Sequence, residues 1–200
     1  RVVIVGKVMT VQAKNICVIP ARGGSKRLPR KNIADFFGKP LIAYTIEAAM
    51  ASGLFGEHIY VSSDDGDILA VADVFPGVKK IRRPDELSGD EAAIEDACLH
   101  VLATIRGHGF EYLCMLQANC PLRTAEDIRQ AYLLLSRSGA DCVQSVVASY
   151  WFHPFWILQE INGRLQPFFQ DYIREIDSKR LPQRITIPSG LCGGLKWTCS

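Results

Sequence analysis

The stretch ICVIPARGGSKRLPRKN, residues 16–32, places two glycines, a serine and a series of cationic side chains directly behind a short apolar run. Gly23 and Gly24 let a backbone approach an anion and turn N–H groups toward it, and Ser25 adds a hydroxyl donor. Arg22, Lys26, Arg27, Arg30 and Lys31 surround those groups with positive charge. A polyphosphate suits such a loop, because arginine binds its oxygens bidentately and lysine sits against them as a compact charge. The spacing excludes two phosphate loops. There is no GxxxxGK[ST], which sets aside a P-loop NTPase, and no GxGxxG with a following acidic residue, which sets aside a dinucleotide site. The competing reading is a solvated basic loop. Against it stands the entropy cost of a glycine pair, incurred for nothing unless the backbone must come close to something. RNA binding is disfavoured because the loop lacks interleaved aromatics.

The elements that must hold this loop follow from the hydrophobic pattern. NICVIP (15–20) reads as a buried strand, PLIAYTIEAAMASG (40–53) as a helix ended by Gly53, and HIYVSS (58–63) as a second strand. DGDILAVADVF (65–75) and EAAIEDACLHVLATIRGHG (91–109) read as helices, and EYLCMLQ (111–117) as a third strand. TAEDIRQAYLLLSRSG (124–139) is a helix with Thr124 as its N-cap and Gly139 after it, followed by the strand DCVQSVV (141–147). Continuous apolar strands separated by helices predict a doubly wound α/β fold with a mostly parallel sheet covered on both faces. In such a sheet ligands gather at the carboxyl ends of the strands, which is where the loop after Pro20 falls.

Beyond residue 150 the pattern changes. YWFHPFWILQ (150–159) is aromatic and proline-broken, and residues 162–183 combine an Asn-Gly turn with aromatic pairs. Segment 150–183 reads either as an arm packing on a second subunit, giving a homodimer, or as a local subdomain core.

Composition narrows the class. A chain of 200 residues with 48% apolar and 22% charged residues is that of an ordinary globular domain. A net charge of +2 gives no general case for nucleic acid, so the local cluster carries the argument. No apolar run reaches the ~20 residues of a membrane span, and residues 1–15 lack the pattern of a signal peptide, so the expected location is the cytoplasm. Seven cysteines, with no CxxC pair and no histidine at zinc-like spacing, predict packing residues rather than a metal site or disulfide framework.

IPARGGSKRLPRKN with GKPLIAYTIEAA behind it, then VSSDD (61–65), RRPDELSGD (82–90), LQANCPLRT (116–124) and FHPFW (152–156), resembles the acylneuraminate cytidylyltransferase family. Its members include CMP-sialic acid synthetases and pseudaminate, legionaminate and Kdo-activating relatives. The resemblance implies a Rossmann-like, nucleotide-diphospho-sugar-transferase fold. It also implies transfer of CMP from CTP to the anomeric hydroxyl of an acidic 2-keto sugar, with release of pyrophosphate, for surface-glycan synthesis. Alternatives are another sugar such as Kdo, or a nucleotide-binding chain with impaired catalysis. Such a transfer needs charge neutralisation and in-line positioning rather than a covalent nucleophile.

By match to the family's motifs, Arg22 and Lys31 hold the triphosphate, with Lys31 stabilising charge on the α-phosphate in the transition state. Gly23, Gly24, Ser25 and Asn32 support the nucleotide, and Arg83 stands against it. Gln117 reaches ligand, most naturally the sugar. Asp90 has two readings, orienting a magnesium-bound water or the ribose, or capping the next helix. Magnesium is the cofactor the resemblance implies. The sequence departs from the family at Ala92, Ala93 and Ile94, where many members carry small hydroxyl residues, and at QANCPLR, where QPTSPLR is usual.

The two ends read differently from the middle. Residues 1–14 are expected to be an extension, with Met9 as the initiator, or an extra edge strand, and residues 15–190 to form the cytidylyltransferase domain. LCGGLKWTCS (191–200) fits neither a strand nor a helix by period, and the Asp-x-Asp that the resemblance implies for magnesium late in the chain is not found after residue 190. Codons for Ala-Leu-Trp-Gly-Ala-Lys-Val-Asp-Val-Phe can be chosen so that a one-base deletion yields Leu-Cys-Gly-Gly-Leu-Lys-Trp-Thr-Cys-Ser, the sequence of 191–200, which makes a frameshift compatible with this tail. The expectation is therefore an out-of-frame tail after Gly190 and no metal ligands of this chain's own.

Overall fold

A computed structural model of the chain describes residues 15–26, 28–106, 109–149, 158–161, 164–167 and 185–196. Strand β1 (Asn15–Pro20) is buried at every residue and lies between two parallel neighbours, β4 (Ile59–Ser63) and β6 (Tyr112–Met115). Its side chains alternate between two cores, as the two-residue period of a strand requires. Cys17 and Ile19 join Ile42, Ile46, Ile68 and Ile128, under helices α1 (Leu41–Ser52), α2 (Gly66–Asp73) and α4 (Ala125–Ser138). Ile16 and Val18 join Tyr60, Leu113, Cys98 and Val101, the last two from helix α3 (Ile94–Thr104). The sheet is therefore covered on both faces, as expected of continuous apolar strands.

Among the described residues this sheet has six strands in the order β5-β4-β1-β6-β10-β7, where β5 is Val78–Arg82, β7 is Cys142–Ser149 and β10 is Ile185–Lys196. A small hairpin of β2 (Asp35–Phe36) and β3 (Lys39–Pro40) leads into α1. Two strands of the six-stranded sheet escaped the sequence reading, each for a physical reason. β5, VKKIR, carries three cations because it is an edge strand, where charge discourages pairing with another chain. β10 lies between two other strands, where an alternating pattern is not required, and it includes two adjacent glycines. Residues 193–196 pair antiparallel with β6 in the register Gly193↔Met115 to Lys196↔Tyr112. The expectation that 191–200 holds no strand is thus corrected as far as Lys196.

Helix ends follow local chemistry. Gly53 and Gly139 close α1 and α4 in the left-handed conformation, at φ 71° and 68°. Thr124 caps α4 in a reciprocal capping box with Asp127. Asp65 caps α2, accepting from the Asp67 and Ile68 backbone N–H groups at 2.8 and 3.4 Å. Helix α3 is shorter than the predicted 91–109: Ala93 is its extended N-terminal residue, and Arg106 (φ 49°) and Gly109 (φ 90°) turn the chain after it.

Cys17 is wholly buried, and burial pushes the Cys98 thiol up to about 12, so both act as small apolar groups. Ser145–Ser189 makes a separate compact unit. Within it β8 (Leu158–Ile161) and β9 (Arg164–Pro167) pair antiparallel around 162–163, as an Asn-Gly turn predicts. Most of the aromatic segment, including His153, lies outside the described residues, as do residues 1–14. No helix among the described residues is long and apolar enough to cross a membrane.

Candidate functional site

Three strands end on one side of the sheet, and the segments that leave them build a cleft of about 570 Å³. β1 delivers Pro20, Arg22, Ser25, Lys26, Lys31 and Asn32. β5 delivers Arg83 and, further on, Asp90 with Ala92 to Ile94, and β6 delivers Gln117 to Asn119. Of the nine residues singled out in the sequence, seven line this cleft. Gly23 and Gly24 line an adjoining depression that shares Ser25, Lys26 and Asp90 with it.

The loop is held from several directions. The Asn32 amide, 6% exposed, donates to the Arg22 carbonyl at 2.9 Å, and the Ser25 N–H donates to the Gly23 carbonyl at 2.9 Å. The Gly23 N–H donates to Asp64 Oδ1 at 3.0 Å. A Cβ on Gly23 would fall 2.7 Å from Asp65 Oδ2 and 2.8 Å from Asp65 Cβ, whereas one on Gly24 would meet nothing within 4 Å. Gly23 is therefore required by its packing on Asp65, and Gly24 is the one with free space beside it. Asn32 acts on the loop's shape through Arg22.

The cations divide by partner. Arg22 Nη1 donates to the Gly89 carbonyl at 3.0 Å and stands 3.1 Å from Asp90 Oδ1, while Lys26 pairs with Asp90 Oδ2. Arg30 pairs with Asp67 at the start of α2, and Arg27 lies outside the described residues. Lys31 lines the cleft with no carboxylate partner among the described residues. An ammonium left without a counter-ion beside other cations is a ready place for phosphate oxygens.

Asp90 does not cap α3, whose N-terminal residue is Ala93; its carboxyl, hydrogen-bonded by Lys26 and facing Arg22, is held below the usual carboxylate range. It is also the single carboxylate among the described residues that line the cleft, and cations engage both of its oxygens. Among the described residues no group of three or more His, Cys, Asp or Glu side chains assembles; a magnesium ion held largely by phosphate oxygens and water would need only one or two carboxylates, and Asp90 lines the cleft.

Two residues of the site carry no individual assignment in the sequence reading. Arg83 was expected, but its partner Asp64 was not, although VSSDD contains it. The Arg83 side chain is 5% exposed, burial pulls its pKa down, and the Nη2–Asp64 Oδ1 separation of 3.6 Å is that of an ion pair rather than a hydrogen bond. Nε and Nη2 of Arg83 have no hydrogen-bond acceptor among the described residues. Arg123 is the other. It is 3% exposed, and its guanidinium donates twice to the Gln117 carbonyl and once to Thr45 Oγ1, each at 3.3 Å. Thr45 Oγ1 donates in turn to the Gln117 and Ala118 carbonyls at 3.3 and 3.4 Å. Gln117 thus enters the cleft from a backbone pinned by α1 and by Arg123.

The Arg123→Met substitution removes three charge-assisted bonds from a buried position. A stability loss of about 2 kcal/mol is expected, seen as a fall of roughly 4–8 °C in melting temperature. Differential scanning calorimetry checks this, and an unchanged midpoint contradicts the bracing role.

Residues 16–154 match the family model described as Cytidylyltransferase. Over 121 residues the chain is 46% identical to a pseudaminic acid cytidylyltransferase of Campylobacter jejuni, covering 60% of this chain and 52% of that protein. It is 35% identical over 143 residues to the CMP-N,N'-diacetyllegionaminic acid synthase of Legionella pneumophila, covering 70% and 60% respectively. The chain spans about half the length of the pseudaminic acid relatives it matches. Among solved structures, a CMP:2-keto-3-deoxy-manno-octonic acid synthetase complexed with CTP superposes with a TM-score of 0.67 at 21% identity. That likeness covers 92% of this chain and 74% of the other, and at such identity it concerns the fold.

Proposed function

The chain belongs to the cytidylyltransferase family, and from that premise we propose that it transfers CMP from CTP to an acidic 2-keto sugar of the N-acylneuraminate type. The anomeric hydroxyl oxygen of the sugar forms a bond to the α-phosphorus, and the bond from that phosphorus to the pyrophosphate oxygen breaks. The hydroxyl proton leaves to solvent. This chemistry asks the protein for position and charge rather than for a nucleophile of its own.

The observation that carries the reading is the convergence of Arg22, Lys31, Arg83 and Gln117, from three separate strand ends, on one cleft. Arg22 and Lys31 bind the triphosphate, with Lys31 meeting the charge that grows as the α-phosphorus is attacked. Gly23, Gly24, Ser25 and Asn32 shape the loop around the phosphates, Arg83 and Asp90 serve the nucleotide, and Gln117 meets the sugar. Magnesium belongs to this reading as a companion of CTP, held chiefly by phosphate oxygens and water. The setting is cytoplasmic surface-glycan synthesis, and segment 150–183 is assigned to a homodimer contact.

Pyrophosphate release tests the proposal, with CTP, UTP, GTP or ATP set against N-acetylneuraminate, pseudaminate, legionaminate and Kdo. Release is expected with CTP and a nine-carbon acid, accompanied by a CMP-sugar product. Release that ignores the sugar, or that prefers another triphosphate, overturns it.

A further inference from the structure

A single carboxylate oxygen stands between the two halves of the cleft. Asp64 Oδ1 accepts the Gly23 N–H at 3.0 Å and lies 3.6 Å from Arg83 Nη2, so one atom touches the glycine loop after β1 and the arginine after β5. Asp64 follows the end of β4, the strand between those two, and is itself only 20% exposed. The same connection carries backbone bonds on either side: the Ala21 N–H donates to the Ser62 carbonyl at 2.9 Å, and the Arg83 N–H to the Ser63 carbonyl at 2.8 Å. The backbone of β4 thus sets the loop and Arg83 in register, and Asp64 adds a side-chain tie at the ligand end.

Arg83 needs that tie. Its guanidinium is almost wholly buried, and a buried cation without an opposite charge is costly. Asp64 is the carboxylate at ion-pair distance, yet 3.6 Å leaves Nη2 without a hydrogen bond, and Nε has none either. The pair therefore neutralises charge without using up Nη2 or Nε, two buried donors of a side chain that lines the cleft. Resting on the nucleotide reading of this cleft, we infer that Asp64 is a positioning residue, which aims Arg83 at the bound nucleotide and fixes the glycine loop from the same oxygen.

A double-mutant cycle on CTP affinity, measured by calorimetry on the full chain, tests this. Asp64→Asn keeps the shape and an oxygen for the Gly23 N–H but removes the charge facing Arg83, and an expected tenfold weakening of CTP binding follows. Arg83→Met is expected to weaken binding by a similar factor. The combined variant should be no weaker than Arg83→Met alone, because Asp64 acts on the nucleotide through Arg83. Asp64→Asn combined with Lys31→Ala, whose side chain Asp64 does not touch, should instead show the product of the two single losses. A merely structural role would multiply in both combinations. Wild-type affinity in Asp64→Asn, or full multiplication with Arg83→Met, overturns the inference. The wild-type measurement separates this from the broader proposal: preference for another triphosphate overturns CMP transfer alone, and the cycle is then read with that nucleotide. A wild-type chain that binds no nucleoside triphosphate overturns the cleft reading and this inference with it.

Discussion

Lys31→Ala is expected to lower kcat/KM for CTP by about 10²- to 10³-fold, the scale found when one preorganised donor to transition-state charge is removed. The argument is one of charge already committed. Arg22 and Lys26 share Asp90, Arg30 is bound to Asp67 and Arg83 faces Asp64, whereas Lys31 has no carboxylate among the described residues. A triphosphate entering the cleft therefore meets Lys31 at full strength and the others partly neutralised. Arg22→Ala, which also frees Asp90 Oδ1 while Lys26 keeps Oδ2, is expected to cost nearer tenfold, on the scale of one charge-assisted bond. Lys31 also lies in a short 3₁₀ segment, Lys31–Ile33, tied to the loop by the Asn32–Arg22 bond, so its backbone is set before ligand arrives. Steady-state pyrophosphate release, with CTP affinity measured separately, checks the division. The larger part of the Lys31 loss should fall in kcat and the Arg22 loss mainly in affinity. Equal effects at the two positions would show that Lys31 is one cation among several.

Local order was the legible part of this molecule. The apolar run before Pro20, the glycine after α1 and the Thr124 N-cap depend on residues within a few positions of one another, and each is found where the pattern placed it. The loop's charge was legible as a cluster, but its partners were not. Arg22 meets Gly89 across 67 positions, and Gly23 meets Asp64 across 41, separations that only the sheet order brings together. Asp90 shows the consequence. From sequence it competed as a helix cap, since an acidic residue stood before a helical pattern; in the fold α3 begins at Ile94, and the cationic loop takes Asp90 instead. Arg123 was hidden for a similar reason. An arginine beside a helix cap reads as surface charge until β6 and α1 present carbonyl and hydroxyl oxygens to it.

The glycine pair makes the sharpest test of that distinction, because sequence gave both residues one role and the fold separates them. Gly23→Ala is expected to destabilise the chain by about 3 kcal/mol. A Cβ at 2.7–2.8 Å from Asp65 must move either the loop or Asp65, and overpacking of this kind costs roughly 1–3 kcal/mol. Asp65 cannot move freely, since its Oδ1 caps α2, and losing a cap costs about 1 kcal/mol more. The same displacement loosens the Gly23–Asp64 bond, so CTP affinity should fall with stability. Gly24→Ala meets nothing within 4 Å and has no left-handed φ to forbid a side chain, so its stability should stay within about 0.5 kcal/mol of wild type or rise slightly. Its CTP affinity should nevertheless fall, because the added methyl occupies space that an approaching phosphate would use. Urea unfolding and nucleotide titration on the two variants separate the roles. A Gly24→Ala protein that is stable and binds CTP as tightly as wild type would leave the open face of the loop without a phosphate to face.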